Sequence, residues 1–229
     1  MRGRHADCTK AMVTLVGIVA LSGCGGDNTG TPITSQGASV SFRSALLRAR
    51  EVANVPGAPT QGFEQQPVDQ AGITVDPDPR APCGAKITHA PALQKGALAY
   101  FASPSQTTVI QWVNRLQPGR AASLVRQDEA DAQAGCPEYQ SLTNTGSQQT
   151  NQFAGAVRLS PSLAAQGFVY RLRLRQASGQ WISAVEISLE RRNCLMYIIV
   201  FSAAPPSQLF VHGLATAASK RLNASPVTC

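Results

Sequence analysis

The chain reads as an α+β protein: an antiparallel β-sheet flanked by helices, in a single domain stapled by two disulfides and preceded by a signal peptide and a flexible tether. Three observations predict this. Segments with strand periodicity fall into pairs separated by turn residues, as antiparallel hairpins require. Segments with helical periodicity stand before, between and after them. Finally, an even number of cysteines remains once an N-terminal export signal is set aside.

That signal comes first in the chain. Arg2, Arg4 and Lys10 form a basic end, and Ala11 to Leu21 is apolar apart from Thr14 and Gly17. This run is too short to span a bilayer, which takes about 20 residues. It ends in Leu21-Ser22-Gly23-Cys24, the order of a bacterial lipobox, which implies diacylglyceryl transfer to the Cys24 thiol and cleavage before it. Residues 1–23 are then a lipoprotein signal peptide, and the partner they predict is the membrane, held through the lipid on Cys24. Residues 24–37 hold GGDNTGTPITSQG, whose one aliphatic residue, Ile33, cannot bury enough surface to order the segment, so it reads as a tether. The domain occupies 38–229.

Within the domain, Ser41 to Val52 predicts a short helix with Ser41 as N-cap, ended by Pro56 and Pro59. Gly57 to Pro82 is rich in Pro, Gly, Gln and Asp and predicts an extended surface segment pinned at Cys83. Ala97 to Ala102 and Thr107 to Leu116 predict a hairpin broken at Ser103-Pro104-Ser105. Gly119 to Gly135 predicts a helix, with Ala121, Leu124, Val125, Ala132 and Cys136 on one face and Pro137 as its stop. After a polar turn region at Asn144 to Asn151, strands are expected at 153–159, 168–176, 181–190 and 194–202. In FVYRLRLR, Phe168, Tyr170, Leu172 and Leu174 share one face while Arg171, Arg173 and Arg175 share the other with Val169. A two-residue Ser178-Gly179 turn would set Arg171 opposite Glu186, Leu172 opposite Val185 and Tyr170 opposite Ile187. Cys194 to Phe201 is apolar on both sides, which predicts a central strand covered on both faces. Past Pro205-Pro206, Ser207 caps a final helix whose apolar stripe, Leu209, Phe210, Leu214 and Leu222 among it, packs across the sheet.

Cys83, Cys136, Cys194 and Cys229 are the cysteines left after Cys8 leaves with the signal and Cys24 takes the lipid. In an exported protein they predict two disulfides. Of the three pairings, Cys83 with Cys136 and Cys194 with Cys229 is favoured because each ties neighbouring parts of the fold. A zinc site would want close cysteine pairs or nearby histidines, so no metal is expected.

Cleavage removes Arg2, Arg4 and Lys10 along with Asp7, lowering the net charge of +7 by two, to +5. The remaining basic residues are scattered, and no nucleic-acid motif is present. Nucleic acid is therefore excluded as a partner. No catalytic residue is assigned: His89 and His212 are the histidines left, with no G-x-S-x-G elbow, H-E-x-x-H, P-loop or G-x-G-x-x-G. An envelope hydrolase thus ranks below a non-catalytic role, and no cofactor is implied. Glu186 and Glu190 read as cross-strand ion-pair partners of the arginines, not as a catalytic carboxylate pair. Arg171, Arg173 and Arg175, about 7 Å apart along one face, are the best candidate for a binding surface toward phosphates, carboxylates or sulfated sugars. Their bland reading, a solvated face neutralised by glutamates, is preferred. Tyr100, Phe101, Trp112, Tyr139, Tyr170 and Trp181 either line a cleft or belong to the core, the commoner place for aromatics.

The lipobox, the polar tether, GCPEY after an Ala-rich helix and NCLMYIIVFSAAP before the last helix resemble the actinobacterial sensor-domain lipoproteins. These are similar to the PknH-like extracellular sensor domain found outside the membrane on some receptor Ser/Thr kinases. The resemblance covers Ala38 to Cys229. It implies an antiparallel sheet flanked by helices, stapled by disulfides, with a cleft for a small ligand or envelope component. The expected function is that of a lipid-anchored sensor or ligand-binding domain at the outer face of the cell membrane. The alternative is an interaction or structural lipoprotein that docks a protein partner or an anionic envelope polymer.

Overall fold

A computed structural model describes residues 40–67, 96–133, 138–142, 148–160, 162–163, 166–175 and 179–227. The expected signal peptide, Cys24, the expected tether, His89, Cys83, Cys136 and Cys229 lie outside them.

Among the described residues the sheet is antiparallel and has eight strands in the order β1-β2-β3-β8-β7-β6-β5-β4. Their ranges are β1 Glu64–Gln66, β2 Gly96–Ala102, β3 Thr108–Arg115, β4 Glu138–Leu142, β5 Gln148–Arg158, β6 Gln166–Arg175, β7 Trp181–Arg191 and β8 Cys194–Ser202. After the β2–β3 hairpin, the helix α3, Arg120–Gln133, carries the chain to the far edge. The chain then returns as a meander from β4 to β8, which closes against β3. The central strand expected at 194–202 is β8, with neighbours on both sides and apolar residues on both faces.

Each face has its own core. On one, α1 (Val40–Ala45), α2 (Ala49–Ala53) and α4 (Gln208–Ala224) bury Leu47, Val52, Phe210, Leu214 and Leu222. Their partners on the sheet include Val109, Val185, Ile187, Met196 and Ile198. On the other face, Ala121, Leu124 and Val125 of α3 cover Trp112, Leu174, Ala184 and Tyr197. Ser207 caps α4 as expected, its Oγ accepting from the Phe210 N–H at 3.1 Å. Gly213 lets α4 approach the α2 turn: a Cβ there would stand 2.4 Å from Val55 Cγ1.

Four expectations need correction. The helix expected over 41–52 is split into α1 and α2, and Ser41 lies inside α1 and not at its cap. The reason is visible at the break, where Arg48 is extended at φ −101° and ψ 158°. There the Leu47 N–H donates to Gln111 Oε1 at 2.8 Å, and the Arg48 N–H to Glu51 Oε2 at 2.8 Å. A buried glutamine and a carboxylate thus replace the helical acceptors. The Pro-rich stretch contributes β1, which pairs with β2. The polar 144–151 region contributes the start of β5, and β4 was not expected at all; polar segments can pair at a sheet edge, where half their surface meets water. Last, β6 ends at Arg175 and β7 starts at Trp181, so the connection exceeds two residues and the register moves by one. Tyr170 opposes Glu186, and Arg171 opposes Val185. A one-residue shift changes which side chains share a face.

Candidate functional site

That register decides the environment of the three arginines. Arg171, Arg173 and Arg175 oppose Val185, Ser183 and Trp181 on β7. On β5, Gly155 opposes Arg171 and Gln152 opposes Arg173. The glutamates expected to neutralise them project from the opposite face of β7, in line with Ser188 and Tyr197. There Glu190 is buried under the α3 side of the sheet. The reading of a stripe balanced by Glu186 and Glu190 is therefore overturned by the strand pairing.

The arginines instead share the face of α1, α2 and α4, with Val169 and Val185 in that core. Arg171 is half-buried, and its Nη1 donates to the Pro206 carbonyl at 3.3 Å, just before α4 begins. The guanidinium of Arg173 stacks on Trp181 at 5.3 Å from the ring centre. Arg173 and Arg175 are exposed, and none of the three arginines forms an ion pair among the described residues. The stripe thus begins in the corner below α4 and runs out along an uncovered strand.

Two features of this ledge escaped the sequence reading. A bulge between Phe153 and Gly155 sets Gly155 at φ +133°, and a Cβ there would meet nothing within 4 Å, so the floor opposite Arg171 is bare. A glycine inside a strand pattern is the signal that could have found it. The second is apolar exposure. Val157 on β5 and Leu209 on α4 are 59% and 62% exposed, and both belong to the arginine side.

The other candidates disperse. Trp112 packs on Tyr197 at 5.3 Å within the α3-side core, and Phe101 is fully buried in the other. Tyr100 is partly buried; the side chains of Tyr139 and Tyr170 lie outside the described residues. His212 is exposed on α4. Among the described residues no cluster of His, Cys, Asp or Glu is placed to hold a metal ion, and no helix is long and apolar enough to cross a membrane. Cys194 is fully buried and disulfide-bonded, with its partner outside the described residues.

Among the described residues, carboxylates on the arginine side are tied up or remote. Glu51 Oε2 accepts from Arg221 Nη2 at 2.8 Å, Arg221 Nε at 3.1 Å and the Arg48 N–H. Burial alone would raise the Glu51 carboxyl, but these hydrogen bonds and the two guanidinium charges outweigh it and hold the group below its ordinary value. Glu138 on β4 stands two strands from Arg173. On the α3 side, Glu129 pairs with Arg158.

No protein family and no curated protein matches this sequence. Among solved structures, the chain is similar to the extracellular domain of PknH from Mycobacterium tuberculosis, with a TM-score of 0.52 and 13% identity. The two share a fold. The match covers 84% of this chain and 97% of that one, so the resemblance drawn from sequence is supported in its architecture.

Proposed function

We propose that this is an exported, lipid-anchored binding domain, without catalytic activity, that works at the outer face of the cell membrane in the manner of a sensor module. Support comes from the fold shared with a kinase extracellular domain, combined with the Leu21-Ser22-Gly23-Cys24 lipidation signal. Its ligand is a small molecule or an envelope component. In this reading any signal passes to a partner protein.

Two disulfides complete the domain in this reading. Cys194 with Cys229 is favoured because Arg191 Nη1 donates to the Leu222 carbonyl at 3.2 Å, which ties the β7–β8 turn to the end of α4, seven residues before Cys229. Cys83 with Cys136 follows as the remaining pair.

A second reading, docking to a protein partner or an anionic envelope polymer, is favoured by one observation: among the described residues the arginine stripe has no carboxylate opposite it in register. Purification of the tethered protein from membranes, followed by mass spectrometry of what accompanies it, separates the two. A stoichiometric small molecule supports the sensor reading. A polymer or protein that is lost when all three arginines become serine supports docking, and recovery of the bare chain with no companion counts against both.

A further inference from the structure

We infer that the domain lies against an anionic lipid surface through the sheet side that carries Arg171, Arg173 and Arg175, as a second membrane contact beside the lipid on Cys24. The inference rests on the reading of an exported, membrane-tethered protein and assigns it an orientation. Three independent observations converge on that side.

The first is charge. The sheet divides the ionisable groups unequally. The strand arginines are joined on that side by Arg43, Arg48, Arg50, Lys220 and Arg221 of the α1, α2 and α4 layer. Among the described residues the carboxylates there are Glu51, engaged by Arg221, and Glu138. On the opposite side of the sheet lie Glu64, Glu186 and the buried Glu190, and α3 carries Glu129, paired with Arg158. Their basic neighbours are Arg120, Arg126 and Arg158. A net charge of +5 for the processed chain understates this, because among the described residues the basic excess gathers on one side. A molecule so polarised turns its basic side to a negative surface.

The second is apolar exposure. Val157 and Leu209, the large hydrophobic residues exposed among the described ones, both lie on the basic side. The Arg171 bond to Pro206 places the stripe beside the first turn of α4, where Leu209 stands. Half-exposed Trp181 shares the stripe's face, and such amphipathic rings favour the headgroup level of a membrane.

The third is connectivity. α1 starts at Val40 and packs on α4, β2 and β3. The described part of the chain therefore begins on the basic side. On the reading of Cys24 as the lipid-bearing residue, the anchor stands only sixteen positions before Val40 in the sequence, which favours holding this side near the bilayer.

The test uses the chain from residue 24 with Cys24→Ser, which keeps every described element and carries no lipid. Its co-sedimentation is measured with vesicles of phosphatidylcholine alone or with phosphatidylglycerol. Binding is expected to the anionic vesicles only, and to weaken as salt screens the contact. Removing Arg171, Arg173 and Arg175 together lowers affinity roughly a hundredfold, at about fivefold for each arginine. Replacing Arg120 and Arg126 on α3 changes it less than about twofold. Circular dichroism confirms folding of each variant, and Leu209→Ser, at an exposed position, gives a weaker-binding variant independent of the strand. Equal binding to both vesicle types, or an unchanged affinity in the triple variant, overturns the inference. So does a soluble polyanion that binds while anionic vesicles do not. Because no lipid is attached, such failures leave the anchor on Cys24 untouched.

Discussion

Gln111 gives the sharpest test of how the fold is held together. Its side chain is completely buried in β3, yet it bridges two parts of the core: Oε1 accepts the Leu47 N–H at 2.8 Å, and Nε2 approaches Met196 Sδ at 3.1 Å. The bond to Leu47 satisfies a backbone donor at the point where α1 stops and α2 has not begun. Gln111→Leu keeps most of the volume and removes the acceptor. A buried N–H left without a partner costs about 1–3 kcal/mol, whereas the lost contact with sulfur is weak. For a domain of this size, each kcal/mol lowers Tm by about 2–4 °C. The expected fall is therefore roughly 6 °C, measured by thermal denaturation, together with faster hydrogen exchange at the Leu47 amide. A Tm within about 1 °C of the parent and undiminished protection at Leu47 would refute the reasoning that this bond fixes the break between the helices.

Glu51 predicts an acid response. Its carboxyl lies below the ordinary value in the folded chain, so its contribution is present above the unfolded pKa of about 4.3 and fades as pH falls through the folded one. Glu51→Gln should lose less stability than the parent between about pH 5 and 3; parallel stability curves would count against this. Gly213→Ala gains about 1 kcal/mol of helix propensity but drives a methyl group to 2.4 Å from Val55 Cγ1. Overpacking of this kind costs about 1–3 kcal/mol, and Val55 is a buried, β-branched residue with little freedom to yield. Thermal melts should show net destabilisation that Val55→Ala relieves, and a more stable single variant would contradict the close approach. Peptide mapping of the non-reduced protein should link Cys194 to Cys229 and Cys83 to Cys136. A Cys83–Cys194 peptide would overturn that pairing.

The sequence showed most where burial and periodicity act together. The continuous apolar run of Cys194 to Phe201 and the capped stripe from Ser207 produced a central strand and a final helix that the structure retains. Legibility failed where a tertiary partner decides a local choice. Nothing in SFRSALLRAREV announces that Gln111, far along the chain, will take the Leu47 N–H and interrupt the helix. Likewise β4 and the start of β5, glutamine-rich and without an apolar period, become strands only because an edge is open to them. For the candidate site, the alternation in FVYRLRLR correctly grouped the three arginines, while their partners hung on a turn length. With the connection longer than two residues, the expected Glu186 opposite Arg171 becomes Val185. This one-residue difference turns a neutralised surface into an unbalanced one.

The proposed lipid-anchored role rests on Cys24. Its most direct test is the intact mass and N-terminus of the protein recovered from the membrane fraction after a high-salt wash, beside the fractionation of Cys24→Ala. The prediction is a chain that begins at Cys24 and carries a diacylglyceryl group, with the alanine variant lost from the washed membranes. An unmodified N-terminus elsewhere, or a Cys24→Ala chain that stays with the membrane through the wash, would contradict it.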